Sequence, residues 1–314
     1  MFHKVVVTGG AGFIGANLSR YLIESGAAEH VVAYDNLSSG LISNLEGLGL
    51  DAVELVEGDI CDLDAMTESL QGADAVVHLA ARPSVPKSIE DPMATHDNNA
   101  TGTITVLEAM RAAGVRRIVA ASSSSVYGAN PVLPKVETLT PMPVSPYAVS
   151  KLATEAYVLS YGQCFDMETV AFRFFNVFGP LQRADHAYAA VVPAFVAAAL
   201  AGEPIPIHGD GEQTRDFTYV GSVAQVITET LANGLNAPTP VNLAFGTRYS
   251  LLQVVEILET IVGHPLARSH SGPRAGDVRD SQADQTLLRT MVPHLDPLDL
   301  ESGLRKTIEW FETI

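Results

Sequence analysis

The chain has 314 residues, of which 47% are hydrophobic and 18% are charged. This length and composition suit a compact enzyme with a large core and exclude a disordered or fibrous chain. The 36 acidic and 19 basic residues give a formal net charge of −17, which argues against a nucleic-acid partner or an anionic membrane surface.

Short β-branched runs alternate with helical patterns through the first half of the chain, as is typical of a parallel α/β sheet. Right-handed crossovers would build a Rossmann-type doubly wound parallel sheet over residues 1–175, which we expect to bind a dinucleotide. The predicted strands are Lys4–Thr8, His30–Tyr34, Val53–Glu57, Ala75–Leu79, Arg117–Ala121 and Thr169–Arg173, and the predicted helices are Phe13–Glu24, Ala65–Leu70, Ala94–Ala112 and Pro146–Gln163.

After residue 175 prolines interrupt shorter elements. The helices predicted there are Ala190–Ala201, Ser222–Ala232, Leu251–Ile261 and Leu304–Thr313. We expect residues 176–314 to form mainly a smaller, mixed α/β substrate-binding lobe over the carboxyl ends of the sheet, with some segments returning to the first domain.

Three features bear on location and metal binding. Cys61 and Cys164 lie far apart and outside any metal-ligand pattern, so neither a metal site nor a disulfide framework is predicted. The first strand begins almost at Met1, without the apolar region of a signal peptide. The longest strongly apolar stretch, Ala189–Ala201, contains Pro193 and is too short to span a bilayer. These features predict a cytoplasmic protein.

A glycine-rich turn follows the first strand and opens the first helix. Gly9, Gly12 and Gly15 permit a tight turn, close approach to a pyrophosphate and close helix–strand packing. The helix start favours anionic phosphates. Asp35 ends the second strand, where it can accept hydrogen bonds from ribose hydroxyls and repel a 2′-phosphate. The cofactor predicted from this pattern is NAD.

Other strand ends carry weaker signals. Asp59 follows the third strand and either lies beside the adenine or is a simple turn residue. His78 ends the fourth strand and is more typical of a buried core histidine than of a catalyst.

The reacting groups are expected at the fifth strand and the helix after it. Tyr147 and Lys151 are four residues apart and share a helix face, so the ammonium can stabilise an ionised phenol. Tyr147 then becomes a candidate general base. A serine from Ser122–Ser125 can hold the reacting oxygen, although spacing alone does not identify which one.

Several motifs together resemble the extended short-chain dehydrogenase/reductase family, and within it the NAD-dependent nucleotide-sugar epimerases of the UDP-glucose 4-epimerase type. The resemblance covers nearly the whole chain. Its motifs are TGGAGFIG, DNLSSG, HLAARPSVPKSIEDP, YAVSK, FRFFNVFGP, GDGEQTRDFTYV and PRAGDVRDS.

The resemblance implies roles for individual residues. The catalytic residues would be Ser123, Tyr147 and Lys151. The cofactor would contact Gly9, Gly12, Phe13, Ile14, Gly15, Asp35, Asn36, Ser38, Gly40, Asp59, Ile60, Leu79, Ala80, Ala81, Asn98, Ser122, Tyr147 and Lys151. The substrate would contact Ser84, Val85, Ser123, Ser124, Tyr147, Asn176, Arg183, Val191, Arg215, Arg274, Asp277 and Ser281.

The resemblance also implies a reaction. Related dehydratases and decarboxylases carry acidic residues where this chain has Ser124 and Ser125, so oxidation and return of hydride at C4 of a UDP-sugar is favoured. The small Ser281 resembles epimerases that admit N-acetylhexosamines, while Arg183 resembles a position that meets a carboxylate in UDP-glucuronate 4-epimerases.

UDP-glucose/UDP-galactose is favoured, with UDP-N-acetylglucosamine and UDP-glucuronate as alternatives. A dehydratase or reductase on the same scaffold, or a non-catalytic NAD sensor, is a further alternative. A homodimer through Ala94–Ala112 and the Tyr147 helix is expected by the same resemblance.

Overall fold

The computed structural model describes residues 1–46, 52–184, 190–272 and 279–314. The elements of the first half are, in chain order, β1 (Phe2–Thr8), α1 (Phe13–Glu24), β2 (Ala28–Asp35), α2 (Ser43–Glu46), β3 (Val53–Glu57), α3 (Leu63–Ser69), β4 (Ala75–His78), α4 (Val85–Glu90), α5 (Pro92–His96), a π-helical turn (Asp97–Thr101), α6 (Gly102–Ala113), β5 (Arg117–Ser123), a 3₁₀ turn (Ser124–Tyr127), α7 (Pro146–Phe165) and β6 (Glu168–Phe174).

The second half has shorter elements. They are β7 (Val177–Phe178), α8 (Val191–Ala201), β8 (Ile205–His208), β9 (Thr214–Arg215), β10 (Thr218–Tyr219), α9 (Val220–Ala232), β11 (Val241–Leu243), β12 (Tyr249–Ser250), α10 (Leu251–Val262), β13 (Arg268–Ser271), α11 (Thr286–Met291) and α12 (Leu300–Phe311).

Seven parallel strands form the central sheet in the order β11-β6-β5-β4-β1-β2-β3. The strand order runs outward in both directions from β1, which is the doubly wound arrangement. The predicted fold class, a Rossmann-type α/β sheet, is therefore confirmed. The three other sheets, each of two strands, lie in the second half or link to it.

The sheet is buried on both faces, as its apolar strands require. Val5 and Val7 of β1 pack on one side with α1 and α9, while Val6 packs on the other side with α3 and α6. This alternation follows from the two-residue period of a strand. A third apolar cluster, built from α8, α10 and α12 around Phe195, forms the core of the second half.

The second half of the chain contributes to the central sheet as well. Strand β11, which the sequence analysis did not predict, pairs in parallel with β6, as in Val241 opposite Phe172. Helix α9 packs against α1 through the core that includes Val223 and Leu231. The division of the chain at residue 175 stays a prediction.

Helix ends follow local side-chain chemistry. Ser145 caps α7 by accepting from the Ala148 amide at 3.2 Å, and α6 ends at Gly114, whose φ of +76° closes the helix in the left-handed region. The predicted helix Ala94–Ala112 is interrupted by the π-helical turn at Asp97–Thr101. Within the described residues, none of the helices combines the length and apolarity needed to cross a membrane.

Candidate active site

The carboxyl ends of β1, β2, β4 and β5 meet at one edge of the sheet and bring the predicted cofactor residues together. At Gly9, φ is +71° and an added Cβ would lie 2.8 Å from the Ala80 amide nitrogen. At Gly15, an added Cβ would lie 2.2 Å from the Gly9 carbonyl oxygen. Both positions therefore require glycine, because the turn, the helix and the end of β4 approach at backbone distance.

The first helix begins without a side-chain cap. Gly12 is the N-cap residue of α1, and no side chain accepts from its first amides. Phe13 and Ile14 form the first helical positions, half-buried beside the turn. The positive end of the helix dipole thus faces the turn without a side-chain anion on it, which fits a ligand phosphate.

Asp35 lies beside this turn at the end of β2. Its carboxylate accepts from the Ala11 amide at 3.1 Å and the Leu37 amide at 2.9 Å. An added Cβ at Gly40 would lie 2.9 Å from Asp35 Oδ2, so glycine leaves the carboxylate accessible on that side. Two backbone bonds hold the side chain while a carboxylate has further acceptor capacity, which fits a ribose diol.

The residues after Asp35 and after β3 meet each other. Asn36 donates to Asp59 Oδ2 at 3.4 Å, and its own oxygen accepts from the Ser38 amide at 3.1 Å. Asp59 also accepts from the Cys61 amide, so it is a turn residue as well as a neighbour of Asn36. Ile60 is buried and lies against Gly102, where an added Cβ would be 2.5 Å from its side chain.

Strand β4 ends at His78 and is followed by Leu79 and by two small residues, Ala80 and Ala81. The Ala80 amide donates to Thr8 Oγ1 at 3.3 Å. His78 lies beneath, between Thr8 Oγ1 at 2.8 Å and Thr103 Oγ1 at 3.1 Å. Burial lowers the pKa of His78 to about 3, so the imidazole is neutral and serves as a buried link between strand and helix.

The π-helical turn places two asparagines differently. Asn98 is half-buried, whereas Asn99 is buried. Asn99 accepts from the Arg82 amide at 2.6 Å and donates to Ser150 Oγ at 2.9 Å. The extra residue of a π turn rotates Asn99 inward toward α7, and π turns often occur at functional sites.

Ser123 and Tyr147 form the core of the reacting site. Ser123 ends β5 and its Oγ accepts from the Ser125 amide at 3.2 Å, which starts the 3₁₀ turn containing Ser124. The Tyr147 phenol, on the first turn of α7, hydrogen-bonds with the Ser123 side chain. Of the four serines in Ser122–Ser125, Ser123 is the one that the structure brings to the phenol.

Ser122 points elsewhere. It is buried and its Oγ donates to Glu155 Oε2 at 2.8 Å, with the Lys151 carbonyl oxygen 3.4 Å away. Consecutive strand residues face opposite sides, so Ser123 reaches the crevice and Ser122 reaches α7. The geometry therefore favours a structural contact of the Ser122 side chain with α7 over the predicted contact with the cofactor.

Burial is the largest influence on the pKa values of both Tyr147 and Lys151. Its Nζ donates to the Ala121 carbonyl oxygen at 2.9 Å, and burial lowers the pKa of Lys151 to about 8. Burial raises the pKa of Tyr147, an effect that the bond to Ser123 partly opposes. Burial thus opposes the lowering of the phenol pKa that the sequence predicts, because removal from water favours the neutral forms of both groups. That lowering stays a prediction for the protein with NAD bound.

Five of the predicted substrate residues line one cavity of about 290 Å³ between the two halves of the chain. Two of them, Ser84 and Asn176, have positive φ values of 96° and 33°. The Asn176 amide donates to the Asp216 carbonyl oxygen at 3.0 Å. The five residues are Ser84, Val85, Asn176, Val191 and Arg215.

Arg215 gives the cavity its cationic group. It is 9% exposed, and its Nη1 donates to the carbonyl oxygens of Thr214 at 2.8 Å and Arg279 at 2.9 Å. Two backbone carbonyls thus fix the guanidinium in a cavity that also contains Gln213 and His208. A fixed guanidinium suits diphosphate oxygens.

Arg183 and Ser281, which the structure describes, are not among the residues that line this cavity. Arg183 is exposed, and Ser281 lies next to Arg215, with its amide donating to the Thr214 carbonyl oxygen at 3.1 Å. Arg274 and Asp277 are outside the described residues.

Sequence reasoning missed buried charged groups around the site. Glu155 and Arg173 form an ion pair of 2.6 Å behind Ser122, and Asp216 is fully buried beside Arg215. The available signals were the four-residue spacing from Lys151 to Glu155 and the presence of an arginine inside a predicted strand.

Comparison with known proteins gives a consistent result. A model of the NAD dependent epimerase/dehydratase family matches residues 5–244. The chain is 37% identical over 313 residues to a UDP-glucose 4-epimerase of Mycolicibacterium smegmatis, covering 98% of each chain. It is 33% identical to a UDP-glucuronate 4-epimerase of Thermodesulfobacterium geofontis, covering 97% of this chain and 95% of the relative.

A solved structure agrees with these relatives. The UDP-N-acetylglucosamine 4-epimerase of Methanobrevibacter ruminantium, in complex with UDP-N-acetylmuramic acid, superposes with a TM-score of 0.92 at 35% identity, over 99% of this chain and 98% of the other. This chain belongs to the NAD dependent epimerase/dehydratase family.

Proposed function

We propose that this chain is an NAD-dependent isomerase that inverts C4 of a UDP-hexose, with UDP-glucose and UDP-galactose as the favoured pair. The observation that carries the proposal is the juxtaposition of Ser123, at the end of β5, with Tyr147, on the first turn of α7, at the carboxyl edge of the sheet. The cavity that contains Arg215 supports the proposal, because this arginine offers a fixed cation for a nucleotide diphosphate. The similarity to three kinds of UDP-sugar 4-epimerase agrees.

The residues present fit NAD. The close approach at Gly9 and Gly15, the uncapped start of α1 and the carboxylate of Asp35 suit a pyrophosphate and an unphosphorylated ribose. When bound, NAD accepts a hydride from the sugar and returns it. Lys151 would hold the nicotinamide ribose, and Asp35 the adenosine ribose.

The chain's own groups would manage the proton and the oxygen at C4. Tyr147 removes the proton from the C4 hydroxyl as the hydride leaves, and it returns the proton when the hydride comes back. Ser123 donates to the C4 oxygen while it is a carbonyl. Arg215 and Asn176 hold the diphosphate, so the keto-sugar turns about this tether and presents its other face.

Ser124 and Ser125 favour epimerisation over dehydration. Both lie in the 3₁₀ turn directly after Ser123, at the positions where the sequence analysis expects an acid in dehydratases and decarboxylases. Elimination of water from the sugar needs a group that moves a second proton, and a serine hydroxyl is a poor acid and base near neutral pH.

The sugar is the part of the proposal with specific alternatives. UDP-N-acetylglucosamine is supported by the small Ser281 beside Arg215. UDP-glucuronate is supported by Arg183, although this residue is exposed and outside the cavity lining. We rank UDP-glucose first.

Proton NMR of the enzyme with catalytic NAD and each of the three UDP-sugars in separate tubes tests the function. The expected result is the anomeric signal of the C4 epimer in one tube without accumulation of NADH. Net NADH formation or a stable keto product would instead establish a dehydrogenase or dehydratase. Three unchanged spectra, despite NAD binding, would refute the proposed reaction for these sugars.

We also propose a homodimer through the stretch Ala94–Ala112, with the residues that flank it, and through α7. Apolar side chains on these helices and on the neighbouring α4 are exposed: Met93 at 66%, Val149 at 54%, Phe165 at 41% and Ile89 at 59%. Burial of such residues against a second copy would remove apolar surface from water. Sedimentation of a monomer at micromolar concentration would refute the dimer. The cytoplasmic location stays a prediction from the sequence.

A further inference from the structure

A buried ion pair lies directly behind the reacting groups. Glu155 is 4% exposed and Arg173 is 2% exposed. Arg173 Nη2 donates to Glu155 Oε1 at 2.6 Å, and Arg173 Nε donates to Glu155 Oε2 at 3.0 Å. Two parallel bonds between a guanidinium and a carboxylate fix orientation as well as distance.

The carboxylate connects the helix that carries the phenol to the strand that carries its partner. Tyr147, Lys151 and Glu155 are spaced by four residues and lie along one face of α7. Ser122 Oγ donates to Glu155 Oε2 at 2.8 Å from β5, one residue before Ser123. A single side chain thus ties α7 to β5 next to the reacting serine and to β6 through Arg173.

Arg173 is itself held from behind. Its guanidinium lies 4.6 Å from the centroid of the Tyr127 ring and donates to the Glu137 carbonyl oxygen at 3.3 Å. The Tyr127 hydroxyl donates to Asn242 Oδ1 on β11 at 2.7 Å. The pair is therefore anchored to the sheet on one side and to α7 on the other.

Apolar packing alone would hold α7 against the sheet, and a buried ion pair is an expensive substitute for it. The two parallel hydrogen bonds between Arg173 and Glu155 additionally fix the position of α7 along the sheet. One residue of sliding along a helix is about 1.5 Å, and misplacement of a reacting group by about 1 Å can cost about 100-fold in rate. Because the ion pair prevents α7 from sliding along the sheet, it preserves the distance between the Tyr147 phenol and the Ser123 hydroxyl.

We propose that Glu155 and Arg173, together with Ser122, are positioning residues that set the height of Tyr147 and Lys151 on α7 relative to Ser123 on β5. The inference rests on the proposed function for its kinetic consequence. Its structural consequence, the placement of the Tyr147 phenol, stands independently of which sugar is converted.

The test replaces Glu155 by glutamine, which keeps the side-chain size and removes the charge. Glu155→Gln is expected to lower kcat by about 10- to 100-fold while KM stays within about twofold and the Kd for NAD rises by less than kcat falls. The groups proposed to hold the two diphosphates are untouched, and only the reacting geometry and the contact of Lys151 with the ribose change. A rise of KM in proportion to the loss of rate would indicate general distortion and overturn the proposal.

The matched control is Glu168→Gln. Arg117 Nε and Glu168 Oε2 are 2.5 Å apart and join the same two strands at their amino ends, far from the crevice. This variant loses an ion pair between β5 and β6 that is more exposed than the buried pair of Glu155 and Arg173, and it should keep kcat within about twofold of the wild type. Equal kcat values in the two variants would overturn the proposal.

Ser122→Ala is the second variant in case Glu155→Gln does not fold. It leaves the ion pair intact and removes only the bond to β5, so it should fold and lower kcat several-fold at unchanged KM. A Ser122→Ala protein with wild-type kcat would then overturn the proposal.

A spectroscopic readout separates this inference from the proposed function. Phenolate absorbance is titrated in each variant and in the same variant with Tyr147→Phe, and the difference isolates Tyr147. Burial and the bond to Ser123 set the pKa of Tyr147, so displacement of α7 should bring that pKa back toward its ordinary value in Glu155→Gln but not in Glu168→Gln. If the wild type converts none of the sugars, the proposed function fails, and this titration alone decides the inference: no change in Glu155→Gln overturns it.

Discussion

Because the ammonium of Lys151 is buried, we expect Lys151→Met to make the NAD-free protein more stable although it abolishes activity. Lys151 is 4% exposed, and burial lowers its pKa from the usual 10.5 to about 8. Each pKa unit is worth about 1.4 kcal/mol, so the lowered pKa of Lys151 reduces the free energy of unfolding at neutral pH by about 3 kcal/mol. Lys151→Met removes the charge and keeps most of the apolar stem.

The gain is partly offset by a lost hydrogen bond. Lys151 Nζ donates to the Ala121 carbonyl oxygen at 2.9 Å, and loss of such a bond costs about 1–2 kcal/mol. Lys151→Met is therefore expected to unfold with a free energy about 1–2 kcal/mol higher than the wild type near pH 7. Its turnover should fall to background, because the residue that holds the nicotinamide ribose in our proposal is gone.

The pH dependence identifies the cause. A base whose pKa is depressed on folding binds fewer protons in the folded state, so wild-type stability rises relative to the variant as pH increases through about 8 toward 10.5. The advantage of Lys151→Met should disappear near pH 10. Other titrating groups are common to both proteins and cancel in the difference.

Urea unfolding of NAD-free protein at the two pH values measures this effect. Lys306→Met, at an exposed position of α12, controls for the loss of a lysine charge. A stability difference that does not shrink between about pH 7 and 10, or a variant less stable than the wild type at neutral pH, would refute the assignment of a desolvation cost to Lys151.

Three further predictions concern the phenol, the turn and the cation. Tyr147→Phe should lower kcat by about 100- to 10,000-fold without weakening NAD binding, and near-normal turnover would remove Tyr147 from the mechanism. Gly15→Ala, whose Cβ would lie 2.2 Å from the Gly9 carbonyl oxygen, should weaken NAD binding measured by calorimetry by at least about tenfold, while Gly272→Ala, with open space around it, should not. Arg215→Met should raise the Kd for UDP by about 10- to 100-fold at unchanged NAD affinity, and equal UDP binding would place the diphosphate elsewhere.

The parts of the fold set by local pattern are predictable from the sequence. The continuously buried apolar run Val5–Val7 and the glycine turn at Gly9–Gly15 each depend on neighbours within a few residues, and both are found as expected. Strand β11 has only three residues, Val241–Leu243, and its pairing with β6 depends on contacts about 70 residues away. Periodicity carries little information about such an element.

The site shows the same division. The spacing of Tyr147 and Lys151 correctly placed both on one helix, but not the direction of the ammonium, which is fixed by the Ala121 carbonyl of a distant strand. In the π-helical turn the added residue exchanges the inward position between neighbours, so that Asn99 is buried and Asn98 is not. A regular helical period does not contain that shift.

The late return of the chain to the central sheet has a consequence for synthesis on the ribosome. The apolar side of β1 and α1 is covered by residues of α9 and α11, which emerge more than 200 residues after β1. Until α9 and α11 have been synthesised, Val5, Val7 and Leu18 lack their native packing partners. The nascent chain therefore exposes an aggregation-prone apolar surface for many seconds at usual elongation rates. The yield of folded protein should accordingly rise with chaperone supply and with lower growth temperature, even though a net charge of −17 by itself favours solubility.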